Sequence, residues 1–373
     1  MKKDMRDDIL KTFKKEVTKN AKLPRSIDFF ELEESDGKNK KVEMLLDQKA
    51  IGIGEDPHNM QTNEAAFEAW ALLIHTHCGY DIQLSLEEDV LTEITKKTKR
   101  SGHYNRFLYR AMKFAEKYKA WFGLSDSLAK LVESFKEELF DSETKYYNNY
   151  PKGEASTGDS LENIVESKFA EEHKYKELLK KIITSHPNHT DLFIDSDKIF
   201  RQLPVGLFKC QKPDPDKDLF SKPKIKLEKK VDKEQFLKSI KNLDNRFFTG
   251  GKSAIDLWTI VDETIVILEL KSNNNMVGII TELMFYADYM YDMYIEKNNR
   301  FTPFSANEVI QSRRGYNYLV DKNPPFTKVQ AFMLTDKLHP LITDKVIEEM
   351  NAGKPGIRYD SLKYKLQGPS LSI

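Results

Sequence analysis

Two carboxylates, Asp256 and Glu269, and one ammonium group, Lys271, stand near the outer ends of two neighbouring β-forming runs. The runs, Ile255–Val261 and Thr264–Leu270, are rich in branched and aromatic residues and are separated by only two polar residues. This pattern predicts a hairpin with a tight two-residue turn. In that register Asp256 lies directly opposite Glu269, and Lys271 projects from the same face of the sheet.

Two carboxylates at such a distance on a covered sheet repel each other and lose hydration, so their charge must be compensated. A divalent cation with oxygen ligands would do this, and Lys271 adds a further positive charge. The alternative is a hairpin whose charges lie at a solvated sheet edge. A slip of one residue in the register would also place Asp256 on the opposite face.

The spacing of these residues resembles a known signature. Asp256, twelve intervening residues and then Glu269-Leu270-Lys271 resemble the PD-(D/E)XK motif of the restriction-endonuclease-like nucleases, with Ile255 at the proline position. The resemblance implies hydrolysis of phosphodiester bonds with Mg²⁺, which Mn²⁺ could replace. It also implies that Asp256, Glu269 and the carbonyl of Leu270 hold the metal, and that Lys271 orients water or neutralises charge on the phosphate.

A helix is predicted from Asp159 or Ser160 to about Ile183. Nuclease domains of this family often carry a metal-site glutamate on the helix before the hairpin. The resemblance places Glu162, and less favourably Glu166, in that catalytic role, and two ordinary surface glutamates are the alternative. The stripe expected to be buried consists of Leu161, Ile164, Val165 and Phe169.

A second helix is predicted after Lys271, from about Val277 to Lys297. Glu282 and Tyr286 are four residues apart on it and are therefore neighbours on one face. They resemble a Gln-x-x-x-Tyr pair that some members of the superfamily carry after the catalytic lysine. Glutamate in the first position departs from that pattern.

A basic segment, Lys96–Lys119, carries a net charge of +8 and is interleaved with aromatic residues. Arg106, Arg110 and Lys113 in this segment are candidates for phosphate contacts, with aromatic rings available to stack on bases. The alternative is a helix that buries its aromatic residues and leaves a basic face in water. Two further candidates for phosphate contacts are Arg313 and Arg314.

The composition predicts an ordinary soluble protein. The chain has 373 residues and a formal net charge of zero, so a nucleic-acid surface would require local segregation of charge. Two cysteines cannot form a disulfide framework or a four-thiolate zinc site. No secretory signal and no membrane-spanning run are recognised, and we expect a cytoplasmic protein without membrane contact.

The predicted fold class is α/β. We expect a mainly helical N-terminal domain at residues 1–150, with a role in binding nucleic acid or a partner, and a nuclease-like domain at 151–373 with a lysine-rich insertion near 209–245. The resemblance implies a restriction-endonuclease-like α-β-β-β-α-β core with a mixed central sheet in the second domain.

The hypothesis from sequence is a metal-dependent nuclease, with DNA as the expected nucleic-acid partner, as in restriction, defence or repair. The alternative is a catalytically inactive member that kept the fold as a nucleic-acid or protein-binding module. The sequence leaves open whether the chain acts as a monomer or a homodimer.

Overall fold

The structure is a computed structural model. It describes residues 2–32, 40–53, 56–96, 101–141, 145–149, 151, 154–155, 158, 160–170, 177–178, 180, 199–210, 246–248, 253–273, 276–296, 301–303, 313–320, 325–367 and 370–372. The lysine-rich insertion expected near 209–245 lies outside the described residues, except for its first two positions.

The first 150 residues combine helices with a sheet. The elements are α1 Arg6–Glu16, β1 Ile27–Leu32, β2 Lys41–Leu46, α2 Phe67–Cys78, β3 Asp81–Leu86, α3 Glu88–Lys96, α4 Gly102–Lys117, β4 Phe122–Leu124, α5 Asp126–Lys136 and β5 Lys145–Asn148, with a 3₁₀ turn at Asn63–Ala65 and a π-helical turn at Glu137–Asp141. Strands β1 to β4 form a four-stranded sheet in chain order, antiparallel between β1 and β2 and parallel thereafter. Helix exceeds strand here, as predicted, but most of this sheet was not expected from the sequence.

The remainder of the chain is built around a second sheet. Its elements are α6 Leu161–Phe169, β6 Phe200–Pro204, β7 Leu207–Cys210, β8 Arg246–Phe248, β9 Ala254–Val261, β10 Thr264–Lys271, α7 Gly278–Tyr294, β11 Phe301–Thr302, a 3₁₀ turn at Arg313–Gly315, α8 Asn317–Val320, β12 Lys328–Thr335, α9 Asp344–Asn351, β13 Ile357–Lys363, β14 Lys365–Gln367 and β15 Ser370–Ser372. Five strands form the central sheet in the order β13-β12-β10-β9-β6. Strands β10, β12 and β13 run parallel, whereas β9 is antiparallel to both of its neighbours. The predicted α/β class with a mixed sheet is confirmed.

The described residues also form two further sheets. One contains β11, β5, β7 and β8, and therefore joins strands from both halves of the chain. The other pairs β14 with β15 near the C-terminal end of the described chain.

The predicted hairpin is confirmed in its register. Backbone pairing runs from Thr264↔Val261 to Leu268↔Leu257, which is the register of a two-residue turn. The turn residue Asp262 has φ +50°, a left-handed value that aspartate tolerates better than most residues. Alternation along the strands therefore places Asp256, Glu269 and Lys271 on one face of the sheet.

Helix α7 is the centre of the molecule. All residues from Gly278 to Met290 are buried, so the helix is covered on every side rather than along one stripe. It packs on β10, β12 and β13, and on α2 from the N-terminal half. One continuous apolar core extends from Met5 to Tyr359. A smaller core on the opposite face of the central sheet includes Val165 and Phe169 of α6. The boundary near residue 150 stays a prediction.

Candidate active site

Lys271 joins the carboxylates of the hairpin to helix α7. Its Nζ atom lies 2.6 Å from Glu269 Oε1 and 3.1 Å from Glu282 Oε2. Asp256 is held by the main chain, since its Oδ2 atom accepts a hydrogen bond of 2.8 Å from the backbone N–H of Leu270. The three residues that the sequence selected are therefore brought together, and Glu282 joins them.

The carboxylate of Glu269 is the most enclosed group of this cluster. The residue is 2% exposed, and its Oε2 atom has no hydrogen-bond partner in the described structure. A buried carboxylate oxygen without a partner is costly because desolvation is not offset. This atom is therefore a point at which a cation or a hydrogen-bond donor would be stabilised.

The electrostatics of the cluster are dominated by burial and by repulsion between acids. Burial raises the pKa of Asp256 to about 7, with the charges of Glu282 and Glu166 acting in the same direction and that of Lys271 opposing them. Burial, and then the charges of Asp256 and Glu282, raise the pKa of Glu269 well above its usual range. Burial alone would lower the pKa of Lys271, but the surrounding carboxylates outweigh it and the pKa is raised. Three acids thus share one ammonium group.

Glu282 and Tyr286, the pair singled out four residues apart on the helix, both face this cluster. The hydroxyl of Tyr286 donates a hydrogen bond of 3.1 Å to Glu282 Oε1, and Glu282 Oε2 faces Lys271. The glutamate that departs from the Gln-x-x-x-Tyr pattern therefore serves as a second counter-charge for Lys271. Tyr286 is buried, and burial raises the pKa of its hydroxyl, which stays protonated and available as a donor.

The role predicted for Glu162 is not supported, because the buried face of α6 differs from the predicted one. Glu162 is exposed, and its Oε1 atom lies 3.5 Å from the backbone nitrogen of Ser272. Leu161 and Ile164, which were expected to be buried, are also exposed. The residues that face inward are Val165, Glu166 and Phe169.

Glu166 is the buried glutamate of α6. It is 3% exposed, and its carboxylate accepts hydrogen bonds from Arg201 Nε at 2.9 Å and Gln202 Nε2 at 3.2 Å. Burial raises the pKa of Glu166, and its charge contributes to the raised pKa of Asp256. Val165 and Phe169 are buried as predicted, but Glu166 takes the place expected for Leu161 and Ile164, and the ranking of the two glutamates in catalysis stays a prediction.

The basic segment is folded inward, which corrects the prediction for Arg110 and Lys113. Arg110 forms a bidentate pair with Glu68, and both side chains are almost fully buried. Lys113 Nζ lies 2.6 Å from Asp292 Oδ2, and Lys117 on the next turn pairs with Asp288. These cations are neutralised inside the protein, so as placed they cannot contact nucleic acid. The alternative interpretation, a helix with buried aromatic residues and a solvated basic face, holds only in part. The aromatic residues of α4 are buried, but so are the basic side chains that were expected to lie in water.

The other three arginines predicted to contact phosphates, Arg106, Arg313 and Arg314, differ in their surroundings. Arg106 is buried but lacks a carboxylate partner among the described residues. Arg314 donates hydrogen bonds to the backbone carbonyls of Gln202 and Glu154, at 2.7 and 2.5 Å, and so stabilises the chain around it. The side chain of Arg313 lies outside what the structure describes, and its assignment stays a prediction.

A clamp that sequence reasoning missed holds the first turn of α7. Asn63 Oδ1 accepts a hydrogen bond of 2.9 Å from the backbone N–H of Val277. Thr281 Oγ1 donates one of 3.0 Å to Glu68 Oε2, which also binds Arg110. A Cβ atom added to Gly278 would lie 2.0 Å from the carbonyl oxygen of Gln61. The N-terminal half therefore positions the turn that carries Glu282.

The described residues contain no group of three or more His, Cys, Asp and Glu side chains arranged to hold a metal ion. Near Glu269, Lys271 lies between two of the carboxylates, those of Glu269 and Glu282. The donors nevertheless suit a hard divalent cation, because they are carboxylate oxygens and one of them, Glu269 Oε2, is buried without a partner.

Comparisons with protein-family models, with curated proteins and with solved structures give no match for this chain. None of the helices in the described ranges combines the length and the apolar character that crossing a membrane requires.

Proposed function

We propose that the chain is a metal-dependent nuclease whose active site is centred on Asp256, Glu269 and Lys271. The observation that carries the proposal is the excess of buried carboxyl groups over cations in this cluster. Asp256, Glu269 and Glu282 surround one ammonium group, and burial raises the pKa of both hairpin carboxylates. A purely structural hairpin gains nothing from such repulsion, whereas a site for a divalent cation requires it.

Asp256 and Glu269 would hold Mg²⁺ or Mn²⁺, with the carbonyl of Leu270 as a further oxygen ligand. The bound ion would polarise the scissile phosphate and lower the pKa of a water molecule. Mg²⁺ keeps several of its own water ligands, so two carboxylates and one carbonyl suffice.

The remaining residues act on the substrate and on one another. Lys271 is directed by Glu269 and Glu282, and its ammonium group would donate to the attacking water or to the phosphate oxygen on which charge develops. Tyr286 keeps Glu282 in place through its hydroxyl. The charge of Glu166 also acts on Asp256, and Glu166 is itself held by Arg201.

The order of the elements also supports the proposal. Helix α6, strands β6, β9 and β10, helix α7 and strand β12 follow one another as the α-β-β-β-α-β core of restriction-endonuclease-like nucleases would require. Strands β7 and β8 lie within this series and belong to another sheet. DNA as the substrate follows from the resemblance alone.

The test is a cleavage assay with purified protein on supercoiled plasmid, single-stranded DNA and single-stranded RNA. Each substrate is incubated with Mg²⁺, Mn²⁺, Ca²⁺ or chelator, and Asp256→Asn is assayed in parallel. We expect cleavage with Mg²⁺ and Mn²⁺ that is lost in chelator and in the variant. Absence of cleavage by the wild type on every substrate, together with metal-independent binding of nucleic acid, would favour the catalytically inactive binding module instead.

A further inference from the structure

The four cationic side chains on the inner side of α4 are not equivalent. Arg110, Lys113 and Lys117 each have a carboxylate within 2.7 Å. Arg106 is equally buried, at 6% exposed, yet no described carboxylate lies within ion-pair distance of it. A buried guanidinium is rarely left without an anion, because removing the charge from water is costly.

The hydrogen-bond partner of Arg106 does not supply the missing charge. Its Nη2 atom lies 3.1 Å from His103 Nδ1, one turn earlier on the same helix. Partial desolvation and the cations of Arg106 and Arg246 lower the pKa of His103, so this ring is neutral at pH 7 and accepts the hydrogen bond through Nδ1. Burial and then the charge of Arg110 lower the pKa of Arg106 to about 10. In the described part of the chain, no carboxylate lies within ion-pair distance of Arg106 or Arg246, so these two arginines and His103 form a basic group.

This basic group opens to solvent and adjoins the active-site helix. His103 is exposed, and Arg106 lies beneath it. Arg110, one turn further along α4, is joined through Glu68 to Thr281, the residue before Glu282. The charges of Glu282 and Glu68 are also among those that oppose the lowered pKa of Arg106.

We propose that Arg106, with His103 at its mouth, is a phosphate-binding subsite that receives a backbone phosphate of the substrate beside the metal-binding carboxylates. The inference rests on the proposed nuclease function and names the group that would anchor the substrate. The guanidinium offers planar paired donors that match phosphate oxygens, and an anion there would neutralise a buried cation for which the described residues supply no carboxylate within ion-pair distance. The N-terminal half would thereby contribute directly to substrate binding.

The first experiment uses inorganic phosphate as the probe and does not depend on cleavage. Melting temperatures are measured in chelator, with increasing phosphate, for wild type, Arg106→Gln, Arg106→Lys and the exposed-lysine control Lys119→Gln. Phosphate should stabilise the wild type and Lys119→Gln by mass action, Arg106→Lys less, and Arg106→Gln hardly at all. Equal stabilisation of wild type and Arg106→Gln would overturn the subsite.

The same variants separate a binding role from a structural one. Without phosphate, Arg106→Gln should melt at or above the wild-type temperature because it removes a buried cation to which the described residues offer no carboxylate within ion-pair distance. Arg110→Gln, which leaves Glu68 buried and unpaired, should melt lower. If Arg106→Gln melted as low as Arg110→Gln, Arg106 would be a structural cation and the proposal would be wrong.

The second experiment asks whether the phosphate belongs to nucleic acid. Binding of a short fluorescent single-stranded oligonucleotide is measured in chelator over a range of salt concentrations. Arg106→Gln should bind at least about tenfold more weakly than wild type. The magnitude of the slope of log K against log salt should decrease by about 0.7, the single-strand value for one phosphate contact. An unchanged slope, with phosphate stabilisation lost, would assign the subsite to free phosphate and overturn its role in substrate binding. If the wild type cleaves nothing, the nuclease proposal fails, and the phosphate titration still decides the subsite.

Discussion

The carboxylate of Asp256 takes a hydrogen bond from the backbone N–H of Leu270 at 2.8 Å, beyond the point where the backbone pairing of the hairpin ends at Leu257↔Leu268. A side chain thus replaces a backbone carbonyl as the acceptor across the two strands. The same contact ties Asp256 to the residue whose carbonyl is the third proposed metal ligand. The position of one ligand is therefore coupled to that of another.

Substituting Asp256 by Asn should remove a pH-dependent penalty on folding. Burial raises the pKa of Asp256 from 3.8 to about 7, so the folded state holds a proton that the unfolded state releases. Between pH 4 and pH 7 the free energy of unfolding of the wild type in chelator should therefore fall with rising pH, by up to about 4 kcal/mol from this group. Asp256→Asn should lack that part of the slope, because asparagine does not titrate.

Denaturant unfolding at pH 5 and pH 8, in chelator, measures this difference. Asparagine keeps an oxygen that can accept from Leu270, so the fold should survive the change. At pH 8, Mg²⁺ or Mn²⁺ should stabilise the wild type and leave Asp256→Asn nearly unaffected. Parallel pH profiles for the two proteins would show that Asp256 is not desolvated as described.

Substituting Lys271 by Ala should abolish cleavage and make the protein more dependent on metal. Without the ammonium group, the carboxylates of Glu269 and Glu282 face each other without a cation between them. In chelator, the variant should therefore be about 3–5 kcal/mol less stable than wild type. A divalent cation should restore much of this loss. The rise in melting temperature on adding Mn²⁺ should therefore be larger for Lys271→Ala than for wild type. A smaller rise would mean that Lys271 does not substitute for a cation at this site.

Substituting Glu166 by Gln should lower activity more than substituting Glu162 by Gln. Glu166 is buried beside Asp256 and holds Arg201, whereas Glu162 is exposed. Loss of the Arg201 pair should also cost about 1–3 kcal/mol of stability. Initial cleavage rates, normalised to folded protein by circular dichroism, compare the two variants. The isosteric Glu162→Gln serves as the control and should resemble wild type. A larger loss of activity in Glu162→Gln than in Glu166→Gln would instead support the prediction from sequence that Glu162 is the catalytic glutamate of this helix.

Substituting Gly278 by Ala should disturb the active site from a distance. The added Cβ atom would overlap the carbonyl of Gln61, so the first turn of α7 must shift, and Glu282 with it. Gly123→Ala is the matched control, since no atom lies within 4 Å of its added Cβ. Gly278→Ala should lose activity and melt several degrees lower, whereas the control should change little. Wild-type activity in Gly278→Ala would show that the clamp does not position Glu282.

The sequence by itself determined the hairpin that carries Asp256, Glu269 and Lys271, and the helix that follows it. Alternation with period two and a two-residue polar turn are local properties, so they place Asp256, Glu269 and Lys271 on one face without reference to the rest of the chain. Helix α7 was likewise predictable, because a long apolar run that follows a polar break indicates a buried element.

Only the tertiary structure decided which charged residues on the helices are buried. From the sequence, Arg110 and Lys113 were predicted to lie on a basic surface, because their partners, Glu68 and Asp292, are 42 and 179 residues away along the chain. The inward face of α6, and so the choice of Glu166 over Glu162, depends on its packing against the sheet. A helix can bury any stripe that its neighbours cover, whereas a hairpin with a fixed turn has one register.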